Sequence, residues 1–321
     1  MRDDVLVFVN HLYDAHHVDA LRERFPNTRF EQLPAAPPWP ASIAEGEALL
    51  FAGLRKPELD ALLQAAQGVR WIHTGSAGFD WVQVPEVERR AIALTRSADV
   101  MSIPIAEFVF GTLLAHAKHL HALRDAQREH RWAPPMHLEL HGKTMLVVGV
   151  GAIGRRVAAL AKAFGMRVIG IKRDGVSDPG VDRMVTPAAL HEVLGDADVI
   201  VLTAPGTAET DGMLGAAEFA RMKPGAYLVN VARGSLIDDD ALVAALAEGR
   251  IAGACLDAFR EEPLPAGHPL WDAPNVTISP HCSYRTPEIR GRVIDEFAAN
   301  LERYLSDAPL LNTMRHPALG Y

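Results

Sequence analysis

The sequence predicts an α/β protein built from two doubly wound parallel sheets. Short apolar runs alternate with helical patterns along most of the 321 residues, which is typical of parallel strands joined by helices. A glycine-rich turn lies between one such run and a helix near the middle of the chain. Two longer helical patterns flank the part of the chain that contains this turn. These three observations together predict the fold class.

The first hundred residues form a small α/β unit of their own in this prediction. Strands are expected at residues 5–9, 48–52, 69–74 and 92–95, and helices at residues 15–25 and 57–66. The third strand leads into the sequence GSAGFD at residues 75–80. Glycines there let backbone N–H groups face outward at the carboxyl end of the strand, where ligands of such sheets bind. A plain turn is the alternative, because Gly and Ser are common turn residues.

The glycine-rich turn lies in residues 143–174. An apolar run predicts a buried strand, and the sequence GVGAIG at residues 149–154, a helical pattern ending at Gly165 and a second strand follow. This is the context that the dinucleotide fingerprint G-x-G-x-x-G requires. Gly149 allows the tight turn, Gly151 lets the backbone approach a pyrophosphate, and Gly154 lets helix and strand pack closely. We therefore predict a dinucleotide at the N-terminus of this helix; a glycine turn that serves only packing is the alternative.

The rest of the chain continues the alternation. Further strands are expected at residues 198–204, 226–231, 253–257 and 276–279. One long apolar helix is predicted over residues 104–123, just before the dinucleotide unit. Another is predicted over residues 287–305, where apolar residues recur on one stripe. We expect the first helix to lead from one unit to the other, and the second to carry the C-terminal residues back.

Composition excludes several classes of protein. There are 40 acidic and 32 basic residues, a formal charge of −8, which argues against a general nucleic-acid binder. Cys255 and Cys282 make neither a disulfide framework nor a zinc motif. His116 and His119 have no third ligand in view, so no metal site is predicted. The N-terminus does not resemble a signal peptide, and no apolar stretch reaches membrane-spanning length. We expect a cytoplasmic protein without nucleic-acid or membrane partners.

Three polar stretches follow the last strands of the chain: NVARGS at residues 230–235, LDAFREEP at 256–263 and PHCSYRT at 280–286. An arginine, a carboxylate and a histidine thus come to the carboxyl ends of strands. Arginine can bind a carboxylate through two parallel hydrogen bonds, and histidine exchanges protons near neutral pH. Taken singly, a structural arginine or a packed histidine is an equally good interpretation. Taken together, the three stretches favour catalysis.

Together with GVGAIG, the segments NVARGSLID, LDAFREEPLP and SPHCSYRT resemble the D-isomer-specific 2-hydroxyacid dehydrogenase family in order and spacing, along nearly the whole chain. The resemblance implies a Rossmann nucleotide domain, residues 102–285, inserted into a flavodoxin-like substrate-binding domain, residues 1–101 and 286–321. It places the active site in the cleft between these domains. It also implies a homodimer, often formed through the nucleotide domain and the helix after the first domain.

The resemblance further implies roles for single residues. Arg233 binds the carboxylate and carbonyl of the substrate, His281 is the general acid/base, and Glu262 orients His281. Backbone N–H groups near Ala77 and Gly78 bind the substrate carboxylate. Cofactor contacts are expected from the glycine turn, the end of the following strand and the later strand ends, namely Gly149, Gly151, Ala152, Ile153, Gly154, Lys172, Arg173, Thr203, Ala204, Pro205, Val231, Asp257 (to the nicotinamide amide) and Ser283.

Charge at the end of the second strand of the dinucleotide unit predicts the cofactor. NAD-binding sites carry an acidic residue there, about twenty residues past the glycines, for the ribose 2′-OH. In this chain the position falls on Lys172, and Arg173 follows. Both side chains would attract a 2′-phosphate, so we expect NADP(H). Asp174 would serve NAD(H) instead if the strand ends late, and a solvated Lys-Arg turn is the structural alternative.

The function that the sequence favours is NADPH-dependent reduction of a small 2-oxo acid, of the glyoxylate or hydroxypyruvate type, to the D-2-hydroxy acid. Phosphoglycerate dehydrogenase and formate dehydrogenase are rivals within the family. The first often carries an added regulatory domain, whereas the sequence stops at Tyr321; the second usually has Gln where Glu262 stands. A nucleotide-sensing, corepressor-like binding protein of the same fold is the alternative from a different class.

Overall fold

The chain folds as two compact units, one formed by residues 1–101 and 286–321 and the other by residues 102–285. Each unit contains one parallel sheet with helices packed on it, so the predicted α/β class with two doubly wound sheets is confirmed. The computed structural model describes residues 2–53, 55–76, 78, 82–97 and 99–314.

The first unit has a five-stranded parallel sheet in the order β2-β1-β3-β4-β5, which is the flavodoxin-like order. The sequence does not predict β2, because only its Phe30 is buried and an edge strand of this kind leaves no apolar run. Every residue of β1, β3 and β4 is buried, as expected between two helical layers. The strands are β1 (Leu6–Val9), β2 (Arg29–Gln32), β3 (Ala48–Phe51), β4 (Trp71–Thr74) and β5 (Ala93–Arg96).

The helices of the N-terminal part of this unit connect these strands. Their buried residues are mostly leucine and valine spaced for one helical face. They are α1 (Ala15–Arg24), α2 (Lys56–Ala65) and α3 (Pro85–Arg90).

The second unit has a seven-stranded parallel sheet in the order β12-β11-β10-β9-β6-β7-β8. This is the Rossmann order with one further strand at the β12 edge. Because β6 and β9 are neighbours, the chain reverses direction across the sheet between them, and ligands of such sheets bind at that point. The strands are β6 (Thr144–Val148), β7 (Arg167–Ile171), β8 (Arg183–Val185), β9 (Val199–Leu202), β10 (Tyr227–Asn230), β11 (Gly253–Leu256) and β12 (Val276–Ile278).

The helices of the second unit begin before its first strand. α6 starts at Ala152, directly after Gly151, and therefore includes Gly154. α9 starts after Asp238, whose carboxylate accepts a hydrogen bond from the Ala241 N–H at 3.0 Å. Asp238 is thus the N-cap of α9. The helices are α4 (Ser102–Ala117), α5 (Leu120–Arg128), α6 (Ala152–Ala163), α7 (Leu190–Val193), α8 (Ala216–Phe219) and α9 (Asp239–Ala247).

The prediction of one helix over residues 104–123 is wrong, because the helical path breaks between α4 and α5. His119 has a φ of +50°, in the left-handed region that ends helices. The extended chain that follows α5 stabilises the break: the Leu138 N–H donates to the Ala117 carbonyl at 2.9 Å, and the Lys118 ammonium donates to the Leu138 carbonyl at 2.7 Å. The apolar pattern continues through this point, so it carries no sign of the break.

Helix α10 (Ile289–Leu305) returns to the first unit. Its predicted stripe is buried at all five positions, Ile289, Val293, Phe297, Leu301 and Leu305. Phe297 stacks on Trp71 of β4, with ring centroids 5.2 Å apart and an interplanar angle of 13°. After α10, the chain pairs with β5 through the isolated bridge of Thr313 with Thr95.

Within the described part of the chain, no helix combines the length and the apolar character that crossing a membrane requires.

Candidate active site

The glycine turn joins β6 to α6 and is packed so closely that side chains are excluded at two of its three glycines. A Cβ on Gly149 would lie 2.5 Å from the Ala204 nitrogen, and Gly149 has a φ of +98°. A Cβ on Gly154 would lie 2.3 Å from the Gly149 carbonyl oxygen and 3.1 Å from the Val147 side chain. Gly149 therefore makes the tight turn, and Gly154 lets α6 pack on β6.

The residues of the turn fit a dinucleotide. A Cβ on Gly151 would meet no atom within 4 Å, so open space lies in front of the backbone there. Ala152 and Ile153 are the first two residues of α6, and their N–H groups have no acceptor within the helix. Open space beside unpaired helix N–H groups is the environment that a pyrophosphate needs.

Thr203 follows β9 and holds the turn from the neighbouring strand. Its hydroxyl donates to the Gly149 carbonyl at 2.7 Å. The next residue, Ala204, is buried and forms the surface against which Gly149 packs. The sequence points to Thr203 as a cofactor contact; the structure gives it a hydrogen bond to the turn itself, and the cofactor contact stays a prediction.

Arg233 lies three residues beyond the end of β10, on a loop that Asn230 organises. The buried Asn230 side chain donates to the Arg233 carbonyl at 2.9 Å and accepts from the Ala232 N–H at 3.0 Å. A Cβ on the next residue, Gly234, would lie 1.9 Å from the Phe259 carbonyl carbon. The loop that carries Arg233 thus lies in direct backbone contact with the loop that follows β11.

Glu262 lies on that loop after β11, and its carboxylate holds His281. The His281 Nδ1 lies 2.8 Å from Oε2 and 3.0 Å from Oε1 of Glu262. The Phe259 N–H donates to Oε1 at 2.9 Å, which fixes the carboxylate to its own loop. Both side chains are partly exposed, 25% for His281 and 33% for Glu262, so a ligand can reach the pair.

Asp257 shapes the turn that presents His281. Its buried carboxylate accepts from the Ser279 hydroxyl at 2.6 Å, the Cys282 N–H at 2.9 Å and the Ser283 N–H at 3.1 Å. His281 has a φ of +48°, a conformation that costs a non-glycine residue about 1–2 kcal/mol. The bonds to Asp257 help to offset this cost. The predicted contact of Asp257 with the nicotinamide amide stays a prediction.

The basic pair expected near a 2′-phosphate follows β7. The Lys172 ammonium lies 3.4 Å from the Asp174 carboxylate, and the Arg173 guanidinium lies 3.2 Å from the Glu209 carboxylate. The Asp174 carboxylate also accepts from the Val176 N–H at 3.0 Å. This backbone hydrogen bond is the main cause that holds the pKa of Asp174 below its usual value, and the neighbouring Lys172 adds to it.

The loop after β4, which is predicted to bind the substrate carboxylate, is described only in part. Ala77 lies outside the described residues. Gly78 is described, and its carbonyl accepts from the Ser76 hydroxyl at 2.8 Å. The role of both residues in binding a carboxylate stays a prediction.

A group of potential metal ligands lies at the start of α1. Asp14, His16 and His17 bring ligand atoms within 4.8 Å of one another. The Asp14 carboxylate, however, is bound by the Arg290 guanidinium at 2.9 Å, and a fixed positive charge at this distance disfavours a cation. We assign no metal to this group.

A family model provides the comparison that decides the family. The model for the D-isomer specific 2-hydroxyacid dehydrogenase NAD binding domain matches residues 110–283, which is more than half of the chain. The chain belongs to the D-isomer specific 2-hydroxyacid dehydrogenase family. It is accordingly an oxidoreductase that uses a nicotinamide dinucleotide, and the glycine turn described above fits that cofactor.

Related proteins agree with this family. A glyoxylate reductase from Thermofilum pendens is 35% identical over 279 residues, which are 82% of this chain and 81% of that protein. A family member from Xanthobacter autotrophicus Py2, crystallised with NADPH and MES, has a TM-score of 0.87 at 29% identity and covers 99% of this chain and 100% of its own. An NADPH-dependent glyoxylate/hydroxypyruvate reductase from Sinorhizobium meliloti, in complex with NADP and sulfate, has a TM-score of 0.86 at 25% identity, with the same coverage.

Sequence reasoning missed the residues that support the site. Asn230 and Gly234 belong to the NVARGS segment, which the sequence singles out. The sequence does not show which groups these two residues contact. Gly206 was missed as well: a Cβ there would lie 3.1 Å from the Arg233 side chain. Nothing in the local pattern around Gly206 indicates that the Arg233 stem passes beside it.

Proposed function

We propose that the protein reduces a small 2-oxo acid, of the glyoxylate or hydroxypyruvate type, to the D-2-hydroxy acid, with NADPH as the preferred reductant. The observation that carries this proposal is the His281–Glu262 pair, with Nδ1 held by both carboxylate oxygens. Such a pair leaves Nε2 as the nitrogen that can exchange a proton with a substrate. Glu262 and His281 follow β11 and β12, and the glycine turn follows β6 of the same parallel sheet. The pair and the turn therefore lie at the same edge of this sheet, where its strands end.

In the mechanism that we propose, each side chain has one task. Arg233 binds the substrate carboxylate through its planar fork and polarises the adjacent carbonyl. His281 gives the proton from Nε2 to the carbonyl oxygen, while Glu262 holds the ring through Nδ1 and fixes its orientation. The glycine turn and the start of α6 would hold a nicotinamide dinucleotide, which would supply the hydride for the carbonyl carbon. The protein contributes position and electrostatics rather than covalent chemistry.

The preference for NADPH rests on the charges of Lys172 and Arg173. The acid that an NAD-binding site would use, Asp174, already accepts the Val176 N–H and pairs with Lys172, so a ribose hydroxyl would have to compete with both partners. Arg173 is exposed, and a 2′-phosphate carries more charge than the Glu209 carboxylate that it would replace. The NADPH and NADP in the two related crystal structures support the same proposal.

Arg173→Gln tests this preference. Because a hydrogen bond to a charged group is worth about 1.5–3 kcal/mol, we expect kcat/KM for NADPH to fall about tenfold or more, with little change for NADH. Arg183→Gln is the control. Arg183 lies on β8, the strand next to β7, and forms a similarly exposed ion pair with Asp196. A wild-type protein that clearly prefers NADH would contradict the proposal.

A panel of substrates tests the reaction itself. Glyoxylate, hydroxypyruvate, longer 2-oxo acids and phosphohydroxypyruvate would each be assayed with NADPH and with NADH. We expect the fastest turnover with one of the small unphosphorylated acids. Preference for the phosphorylated acid would instead indicate a phosphoglycerate dehydrogenase. Tight binding of the cofactor without turnover of any acid would favour the corepressor-like alternative.

We also propose a homodimer. The segment after α5, residues 129–139, forms neither helix nor strand and exposes large apolar side chains, with Trp132 98% and Met136 89% exposed. Apolar surface of this kind is typical of a protein interface. The segment lies in the nucleotide-binding unit, immediately beyond the helices where the family resemblance implies dimer contacts.

A further inference from the structure

Arg260 makes more hydrogen bonds than an exposed arginine usually does. Its Nε donates to the Ile237 carbonyl at 2.8 Å, and its Nη2 donates to the Ser235 carbonyl at 2.8 Å. Its Nη1 lies 3.1 Å from the Asp211 carboxylate. All three nitrogens of the guanidinium are therefore engaged, although the side chain is 38% exposed.

The acceptors come from two loops other than its own. Arg260 lies on the loop after β11, two residues before Glu262. Ser235 and Ile237 lie on the loop after β10, which carries Arg233, and Asp211 lies on the loop after β9. A planar guanidinium can satisfy acceptors in three directions at fixed angles, which an ammonium on a flexible stem cannot. Arg260 therefore holds three loop ends of the sheet at a defined separation.

The backbones of two of these loops are also in direct contact. Gly234 packs against Phe259 and Arg260 so closely that no Cβ fits. The Phe259 N–H in turn holds the Glu262 carboxylate that binds His281. A shift of the Arg233 loop would therefore be transmitted to Glu262 through Phe259. The hydrogen bonds that Arg260 makes to the Arg233 loop oppose such a shift.

We propose that Arg260 is a positioning residue for the reaction: it fixes the loop of Arg233 relative to the Glu262–His281 pair, without touching substrate or cofactor. The inference rests on the proposed function, because it assumes that Arg233 and His281 act on one substrate. Both carbonyls that accept from Arg260 lie on the Arg233 loop, and Arg260 bonds neither the glycine turn nor Lys172 and Arg173. We therefore expect its main effect on the 2-oxo acid rather than on NADPH.

The variants are Arg260→Gln, Arg260→Ala and the control Arg250→Gln. Arg250 is an exposed arginine of the same unit that pairs with Glu248, two residues away, through its Nη2 at 2.9 Å. The measurements are kcat and KM for the best 2-oxo acid at saturating NADPH, the Kd of NADPH, the thermal midpoint, and hydrogen exchange of the Leu236 and Ile237 amides, which bond within the Arg233 loop.

For Arg260→Gln we expect kcat/KM for the 2-oxo acid to fall about tenfold to a hundredfold, as a misplaced catalytic group typically causes. The Kd of NADPH should stay within about twofold, and Leu236 and Ile237 should exchange faster than in Arg250→Gln. Free guanidinium ion should restore part of the activity of Arg260→Ala. A simple loss of stability would lower the thermal midpoint, but it would not lower kcat/KM for the 2-oxo acid while leaving the Kd of NADPH unchanged.

Three results would overturn the inference: an unchanged kcat/KM in Arg260→Gln at a temperature below its thermal midpoint, an equal loss of NADPH affinity, or unchanged exchange of Leu236 and Ile237. If the wild-type protein reduces no 2-oxo acid, the proposed function fails separately. Exchange of the two amides then still decides whether Arg260 holds the Arg233 loop.

Discussion

At Gly234 two backbones meet with no room for a side chain. A Cβ on Gly234 would lie 1.9 Å from the Phe259 carbonyl carbon and 2.2 Å from the Arg260 nitrogen. Main-chain atoms held by the sheet cannot move aside as the end of a flexible side chain can. The smallest substitution at this residue is therefore expected to separate the loops that carry Arg233 and Glu262.

Gly234→Ala should destabilise the protein by about 2 kcal/mol or more and lower the thermal midpoint by about 4–8 °C. Its kcat/KM should fall even where the protein is fully folded, because the two loops carry the site. Gly267→Ala is the control, since a Cβ there would meet no atom within 4 Å. Equal midpoints and equal activity in the two variants would show that the close approach is not required.

At the residue scale, the sequence indicates candidate reactive residues but not the contacts that support them. Arg233, Glu262 and His281 are recognisable because reactive residue types follow strand ends in the order of a known family. Asn230 bonds the Arg233 carbonyl three residues further on, whereas Arg260 and Thr203 bond main-chain carbonyls far away in the sequence. A carbonyl is present at every residue, so a sequence pattern cannot indicate which of them is an acceptor.

At the scale of elements, β4 contains a histidine that has no part in the proposed mechanism. His73 is completely buried, with Nδ1 2.8 Å from the Thr95 hydroxyl and Nε2 3.1 Å from the Ser97 hydroxyl. Burial lowers the pKa of His73 to about 3, so the ring is neutral in the folded protein at neutral pH. In the unfolded chain this histidine has an ordinary pKa of about 6.5. Below about pH 6.5 the unfolded chain therefore binds a proton at this residue, whereas the folded protein does not.

This difference predicts how stability depends on pH. The contribution of His73 is fully present above about pH 6.5 and is lost as the pH falls from about 6.5 towards 3. Between about pH 7.5 and 5.5, the free energy of unfolding should therefore fall by about 1.4 kcal/mol more in the wild type than in His73→Gln. Denaturant titrations at the two pH values measure this, and parallel losses in both proteins would refute it.

Elements were predictable where burial dictates the pattern. β1 and β3 are buried at every residue, and each appears in the sequence as an apolar run. β4 is buried at every residue as well, although His73 and Thr74 in it are polar. β2 and β8 lie at sheet edges, where exposed residues interrupt the pattern. The break at His119 depends on the Leu138 backbone, nineteen residues later in the chain, and no local pattern can show such a contact.

At the scale of the whole molecule, the exposed segment after α5 predicts the oligomeric state. Replacing Trp132 and Met136 together by Ser should convert a dimer into a monomer, because these side chains are almost fully exposed in the single chain. Sedimentation equilibrium measures the change. Val176→Ser, at an exposed apolar residue elsewhere in the same unit, is the control and should remain dimeric. A wild-type monomer, or a dimeric double variant, would contradict the assignment.

The proposed reaction depends above all on His281, held by Glu262, giving the proton to a 2-oxo acid. The most direct test is His281→Asn, because asparagine tolerates the left-handed backbone of this position but cannot act as the acid. With the best 2-oxo acid, kcat should fall by about 10²–10⁴-fold, while the Kd of NADPH changes by no more than about twofold. A variant that turns over as fast as the wild type would contradict the role of His281 as the proton donor.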